Sequence, residues 1–250
     1  VLNQYVSDTQ GLLQNPAATT ALYSTPSLTR FINISRGQLA GESRCIRAIG
    51  TINTVIGQRA YNFSSINVGV SASTGIDGVL HVRQISWVVG SGQRMLAPTP
   101  WEQFYLFNLN NPVPQSGFPR RWSQYAQGGA PQAGTTEGQG GSFYIDPIPD
   151  ASYPLTCDCT CFPIGLVNDN TVEAIPYLWT DAVPFFAAYY AYLSSQTGAR
   201  QADAARMFEL YKEFSTRARN AANPSVNRWM YQEAADPVQA MKLGTQKMGA

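Results

Sequence analysis

The sequence predicts an α+β fold: a helical bundle built from both ends of the chain, an inserted antiparallel β-sandwich or barrel, and a C-terminal arm. Three observations lead there. Apolar residues recur at helical spacing over residues 1–50 and 176–224. Between residues 51 and 175 the period shortens to two, punctuated by Gly and Pro turns. The segment WTDAVPFFAAYYAYL, Trp179 to Leu193, reads as a helix with aromatics around most of its circumference. A helix apolar on all sides must be covered on all sides, so part of the cover is expected from other copies or partners.

Taken in order, Leu2, Tyr5, Val6, Leu12 and Leu13 form a first helical stripe that Asn15-Pro16 ends. Thr25-Pro26 suits the start of a second helix, with Thr25 as cap and proline in the first turn. Leu28, Phe31, Ile32, Leu39, Ile46 and Ile49 are expected to carry its apolar face to Gly50. Gly37 and Gly41 interrupt that helix at about 1 kcal/mol each relative to alanine, which close approach of another helix would explain.

From Thr51 to Phe63, with Gly57-Gln58 between the arms, the pattern predicts a hairpin. Val79–Val89 and Gln93–Leu96, joined by Gly90-Ser91-Gly92, predict a second. Thr99-Pro100-Trp101-Glu102 opens a short helix to about Asn108. Trp122–Ala126, Ser142–Ile145 and Tyr153–Phe162 complete the strands, with a Gly-rich loop at 128–141 holding six glycines. Asp181 is a candidate cap for the aromatic helix, and Pro184 falls in its first turn where no N–H is missed. The last helix begins at Gln201, with Ala205, Phe208, Tyr211, Phe214 and Ala218 on one face, and Asn223-Pro224 stops it. The expected organisation is a bundle from 1–50 and 176–224, an inserted β-domain over 51–175 and an arm over 225–250.

Composition narrows the function. Of 250 residues, 44% are apolar and only 13% charged, a profile suited to β-rich surfaces and protein–protein contact, because sparse charge lowers the desolvation cost of burying surface. Net charge is +1 and the longest basic cluster is Arg120-Arg121, so no basic stripe for neutralising phosphates is present. No run of about eighteen apolar residues predicts a membrane span. The opening VLNQYVSDTQGLL lacks a basic segment followed by an apolar run, so a secretory signal is not expected and synthesis in a cytoplasm is.

Chemistry is sparse. Cys157, Cys159 and Cys161 share one face of a strand with Leu155, opposite Asp158 and Thr160, which favours a buried apolar face over a metal site or a disulfide. His81 is the sole histidine, within a strand. Neither a Gly-x-Ser-x-Gly elbow nor a P-loop occurs, and Gly138-Gln139-Gly140-Gly141 precedes a strand rather than a helix. Asp146 and Asp150 flank two prolines and could form a hydrolytic carboxylate pair or a calcium site, but turn chemistry explains Asp beside Pro without either. The expectation is a protein with no catalytic, cofactor-binding or metal-binding residues.

Several phrases resemble the head-to-tail adaptor family of short-tailed bacteriophages, also called tail tubular protein A. Leu28-Thr29-Arg30-Phe31-Ile32-Asn33-Ile34-Ser35-Arg36 is similar to the family's LxxYINxAR second helix, and Gly41 to Arg47 continues it. Val172-Glu173-Ala174-Ile175-Pro176-Tyr177 leads into Asp181 to Ala191, and Phe143-Tyr144-Ile145-Asp146-Pro147 looks like a late sandwich strand. The likeness spans roughly residues 1–224, with the Gly-rich loop and the arm as departures. It implies a virion protein at the head–tail junction, made in the host bacterial cytoplasm. It also implies a ring, typically of twelve copies, beneath the portal protein, giving the tail nozzle protein and tail fibres a platform while DNA passes unread through the lumen.

Within that reading Phe185, Phe186, Tyr189, Tyr190 and Tyr192 are expected to serve core and subunit contact together, tyrosine combining apolar area with a hydroxyl suited to a wet rim. The arm carries Arg228, Trp229, Met230, Tyr231, Met241 and Leu243, types enriched at interface hot spots, and is expected to bind a partner such as the portal or an adjacent ring. The alternative is a β-sandwich receptor- or carbohydrate-binding tail component that stacks sugars on Trp87, Trp101 and Trp122.

Overall fold

The computed structural model describes residues 1–14, 22–71, 73–89, 92–106, 115–126, 128, 141–194 and 200–222. The arm and most of the Gly-rich loop lie outside them, including Arg228, Trp229, Met230, Tyr231, Met241 and Leu243. Helices α1 (Leu2–Leu13) and α2 (Thr25–Ser43) lead into the strands, and α4 (Ala182–Ser194) and α5 (Gln201–Ala222) close the fold. The four pack together, with α4 touching α1, α2 and α5. The class is α+β, with the terminal helices packed against one another and two four-stranded sheets inserted between them in sequence. Among the described residues neither sheet closes into a barrel.

Helix α2 starts one residue earlier than its sequence signal and stops well short of Gly50. Ser24 is the cap, its hydroxyl accepting from the Ser27 N–H, and Pro26 sits in the first turn as expected. Arg44 adopts a left-handed conformation (φ 55°) and its N–H closes on the Ala40 carbonyl, which ends the helix. Ile46 and Ile49 therefore leave the helical face: Ile46 is buried beside β1 (Arg47–Asn53) and Ile49 is exposed on it.

The strands pair at longer range than their order suggests. The turn at Gly57 exists, with φ +79° and the Gln58 N–H on the Val55 carbonyl, but its two arms separate. β1 pairs with β8 (Pro154–Pro163), and β2 (Ala60–Asn62) crosses to β7 (Ser142–Asp146) in the second sheet. The second predicted hairpin is present, Val89 of β3 (Ile76–Val89) facing Gly92 of β4 (Gly92–Met95). The first sheet runs β1-β8-β3-β4 and the second β2-β7-β6-β5, the latter with β5 (Ala97–Pro98) parallel to β6 (Arg121–Ala126). The short helix α3 is Trp101–Phe104.

Alternation on β8 places Leu155, Cys157, Cys159 and Cys161 in the core they share with Val82 and Ile85 of β3 and with Phe143 and Ile145 of β7. Asp158 on the other face meets Arg47 at 2.6 Å, and Thr160 there is buried where α2 packs on β8. Burial pushes the Cys157 and Cys161 thiols up to about 12 and Cys159 higher still. With Cys45 buried too, the folded chain should leave all four thiols unlabelled by a chromogenic disulfide reagent near pH 8. Full labelling is expected only in denaturant. Rapid reaction of the native chain would show that this face is open.

Candidate docking surfaces

The aromatic helix is mostly covered by its own chain. Ala182, Ala187, Ala188 and Ala191 are fully buried, and such small side chains let α2 and α1 approach closely. Phe186 is buried at the centre of a ring cluster, with Tyr211 at 4.6 Å and Tyr190 at 5.8 Å. Phe185 stacks on Phe214 at 5.7 Å and Tyr189 on Phe208 at 4.7 Å, so α5 covers that side. The Tyr192 hydroxyl donates to the Leu12 carbonyl at 3.0 Å, tying α4 to α1. What stays outward are Tyr190 and Leu193, 40% and 50% exposed. Sequence reading overstated the uncovered perimeter because it could not see three helices converging on one. It also placed Ala205 on the buried face of α5, where Ala204 stands instead.

The second surface was not legible from hydropathy. Residues 164–181 run from the end of β8 to α4 with no regular structure apart from the 3-10 turn Tyr177–Trp179. One turn of α2 anchors this segment. Arg36, 1% exposed, grips Glu173 through Nε (2.9 Å) and Nη2 (2.8 Å), while its Nη1 donates to the Ile164 carbonyl at 2.6 Å. Asn33 copies a backbone pairing with Leu166, donating to its carbonyl at 3.0 Å and accepting its N–H at 2.8 Å. Ser35 donates to the Val183 carbonyl at 2.7 Å, and Glu173 accepts the Ile175 N–H at 2.9 Å. A bidentate buried ion pair holds only when its remaining polar groups are satisfied, and here they are.

The sheet adds a further anchor. The carbonyl of Gly75, at φ +70°, accepts the Ile164 N–H at 2.7 Å, and a Cβ on Gly75 would lie 2.3 Å from the Val172 oxygen. The phenol of Tyr5 is pushed above its ordinary range, first by burial and then by the Glu173 carboxylate beside it. Held this firmly, the segment nevertheless shows apolar side chains outward: Val167, Tyr177 and Leu178 are 82%, 87% and 73% exposed. Scattered exposed apolar residues are ordinary; three on one anchored segment make it a candidate interaction surface.

The β-domain shows a third patch. Trp101 lies 4.6 Å from Tyr125 and 4.9 Å from Tyr144, and Tyr105 and Tyr125 are exposed beside it. Trp122 is buried rather than available for stacking, and Trp87 is half-buried against Phe118 and Tyr153. The carboxylates singled out for hydrolysis are each held by a different neighbour, Asp146 by Arg59 at 3.4 Å and Asp150 by the Tyr153 hydroxyl at 2.5 Å. Burial lowers the proton affinity of His81, aided by Arg44 and Arg83. Among the described residues no group of three or more His, Cys, Asp or Glu could hold a metal ion, and no helix is long and apolar enough to cross a membrane.

The turn of α2 that anchors residues 164–181 is the same Asn33 to Arg36 phrase that carried the adaptor resemblance. A family model described as SU10 adaptor protein matches residues 5–232. The chain belongs to the SU10 adaptor protein family. It is therefore a bacteriophage adaptor protein of a structural family, which implies a non-enzymatic role and virion structural partners. No match is found among curated proteins.

Proposed function

We propose that this adaptor forms a closed ring at the head–tail junction, joining the capsid portal to the tail nozzle and extending the DNA channel. The observation that carries the proposal is a segment clamped by a buried ion pair and yet apolar outside. In a free monomer the clamp buries Leu166 and Ile175 but leaves Val167, Tyr177 and Leu178 in water. In a ring the display is covered by neighbours. Cyclic symmetry calls for a heterologous contact whose rotation closes, with twelve copies as the number the family resemblance implies. Tyr190 and Leu193 extend the contact along the outward edge of α4, while Phe186 belongs to the core beneath it. The arm, with Arg228, Trp229 and Met230, binds the portal, and the outer β-surface receives the nozzle and fibres. DNA crosses the lumen unread, in keeping with a net charge of +1.

Mass photometry of the purified chain, alone and with portal, tests this reading. Rings are expected in at least one condition, and deletion of 225–250 is expected to weaken portal binding. A chain that stays monomeric in both conditions refutes it. The Trp101 patch supports a second reading, carbohydrate or receptor binding by the outer sheet. Glycan-array binding that is lost in Trp101→Ala would favour it.

A further inference from the structure

Where the C-terminal end of α2 meets the second half of α5, a polar cleft of about 340 Å³ opens. Lys212, Ser215, Thr216 and Arg219, spaced i, i+3, i+4 and i+7, form one stripe of α5 that lines it, and Gly41 and Arg44 line it from α2. A Cβ at Gly37 or Gly41 would meet nothing within 4 Å, so close approach of a helix in this chain explains neither glycine. At Gly41 the missing side chain leaves the cleft open. The one carboxylate there is already committed to uncharged groups. Glu42 accepts from the Gln38 amide at 2.5 Å through Oε1, and from the Tyr211 and Ser215 hydroxyls at 2.9 and 3.0 Å through Oε2. The helix ends are satisfied without the cations of the cleft. The Ser43 hydroxyl donates to the Leu39 carbonyl, the Arg44 N–H to the Ala40 carbonyl, and Arg83 of β3 to the Ala222 carbonyl at 3.1 Å. Among the described residues neither the Arg44 guanidinium nor the Lys212 ammonium forms an ion pair. Lys212 sits 4.6 Å over the Phe208 ring, a contact that engages its charge but not its N–H donors.

We propose that this cleft is an anion site for phosphate groups, and that the phosphates are those of the DNA backbone passing through the ring. The source of the phosphate rests on the channel reading above; the chemistry of the site rests on the cleft alone. A guanidinium fork, an ammonium and the Thr216 hydroxyl supply the mixture of planar and point donors that phosphate oxygens take. The stripe from Lys212 to Arg219 runs about 10 Å along α5, long enough to follow a backbone rather than hold one carboxylate. Arg83 and Arg44, which together disfavour a proton on His81, add positive potential at the same corner. Glu42 works the other way. Its charge beside the cations keeps the hold on an anion weak, which lets DNA slide past without stalling. Phosphate contacts carry no base information, so the DNA stays unread. Cyclic symmetry repeats the cleft once per copy around the channel. Arg44, Arg83, Lys212 and Arg219 come from three distant parts of the chain, which is why no basic run announces the site.

Three full-length variants test the site. Arg44→Asn with Lys212→Gln removes two donors, asparagine being tolerated in the left-handed conformation that Arg44 holds. Gly41→Gln fills the cleft and removes no charge. Arg30→Gln with Arg94→Gln removes the same charge from exposed positions elsewhere. Fluorescence anisotropy with a short DNA duplex of mixed sequence should show the first variant binding about tenfold more weakly at low salt. Its slope of log affinity against log salt should fall by about two. Gly41→Gln should also weaken binding, while the Arg30 and Arg94 variant stays within about twofold of wild type. Inorganic phosphate should displace the duplex from wild type further than chloride does at equal ionic strength. Equal losses from the Arg30 and Arg94 variant mean general attraction by surface charge and overturn the site. Binding of inorganic phosphate with no binding of duplex overturns the DNA source. A glutamate-rich peptide that binds more tightly than duplex, and loses its hold in the first variant, assigns the cleft to a protein partner and overturns the phosphate reading. Mass photometry reads the ring separately. A first variant that forms rings and still binds duplex as wild type does overturns the site and leaves the ring standing, whereas wild type that stays monomeric in every condition refutes the ring and, with it, the DNA source.

Discussion

Arg36→Ala should cost about 3–5 kcal/mol of stability, read as a fall in the urea midpoint at unchanged slope, because it strands the Glu173 carboxylate in a dry site. The same change removes the donors to the Ile164 carbonyl and frees the segment that carries Tyr177 and Leu178. Amide exchange over residues 164–181 should therefore quicken more than exchange in β8 or α4. Replacing both charges, Arg36→Met with Glu173→Met, should recover a large part of the loss, since no buried charge is left unpaired. A cost under about 1 kcal/mol for the single variant would mean water reaches the pair, and the rigid display argued above would then have no anchor.

Phe186→Ala is expected to cost about 3–5 kcal/mol, the usual range for emptying a buried aromatic site, with Tyr211, Tyr189 and Tyr190 all losing a neighbour. Leu193→Ser, at a half-exposed position on the same helix, should change stability by no more than about 0.5 kcal/mol while weakening ring formation. Thermal or denaturant unfolding paired with mass photometry checks both. The contrast matters because the five aromatics of α4 look equivalent along the sequence. If Leu193→Ser destabilised the monomer as strongly as Phe186→Ala, the outward edge of α4 would be core and would have nothing to offer a neighbour.

The order of elements was open to reading because it depends on local periodicity. Alternation placed Cys157, Cys159 and Cys161 on one buried face, and helical spacing found α1, α4 and α5 without knowledge of their partners. The phrase from Asn33 to Arg36 was visible as a family likeness, yet its job was not. Nothing local says that Arg36 reaches a glutamate 137 positions away, because the contact exists only once the sheets have folded between them. The same limit explains the errors. Gly57 makes a turn whose arms never pair, since each finds a better partner in β8 or β7, eighty or more residues downstream. Ile46 and Ile49 continue a helical stripe that Arg44 has already ended, a backbone conformation that arginine does not advertise. Spacing along a chain states which residues share a face. Which faces meet, and which of them stay bare for a neighbour, was decided only when helices from both ends converged on α4 and one helical turn secured the segment beside it.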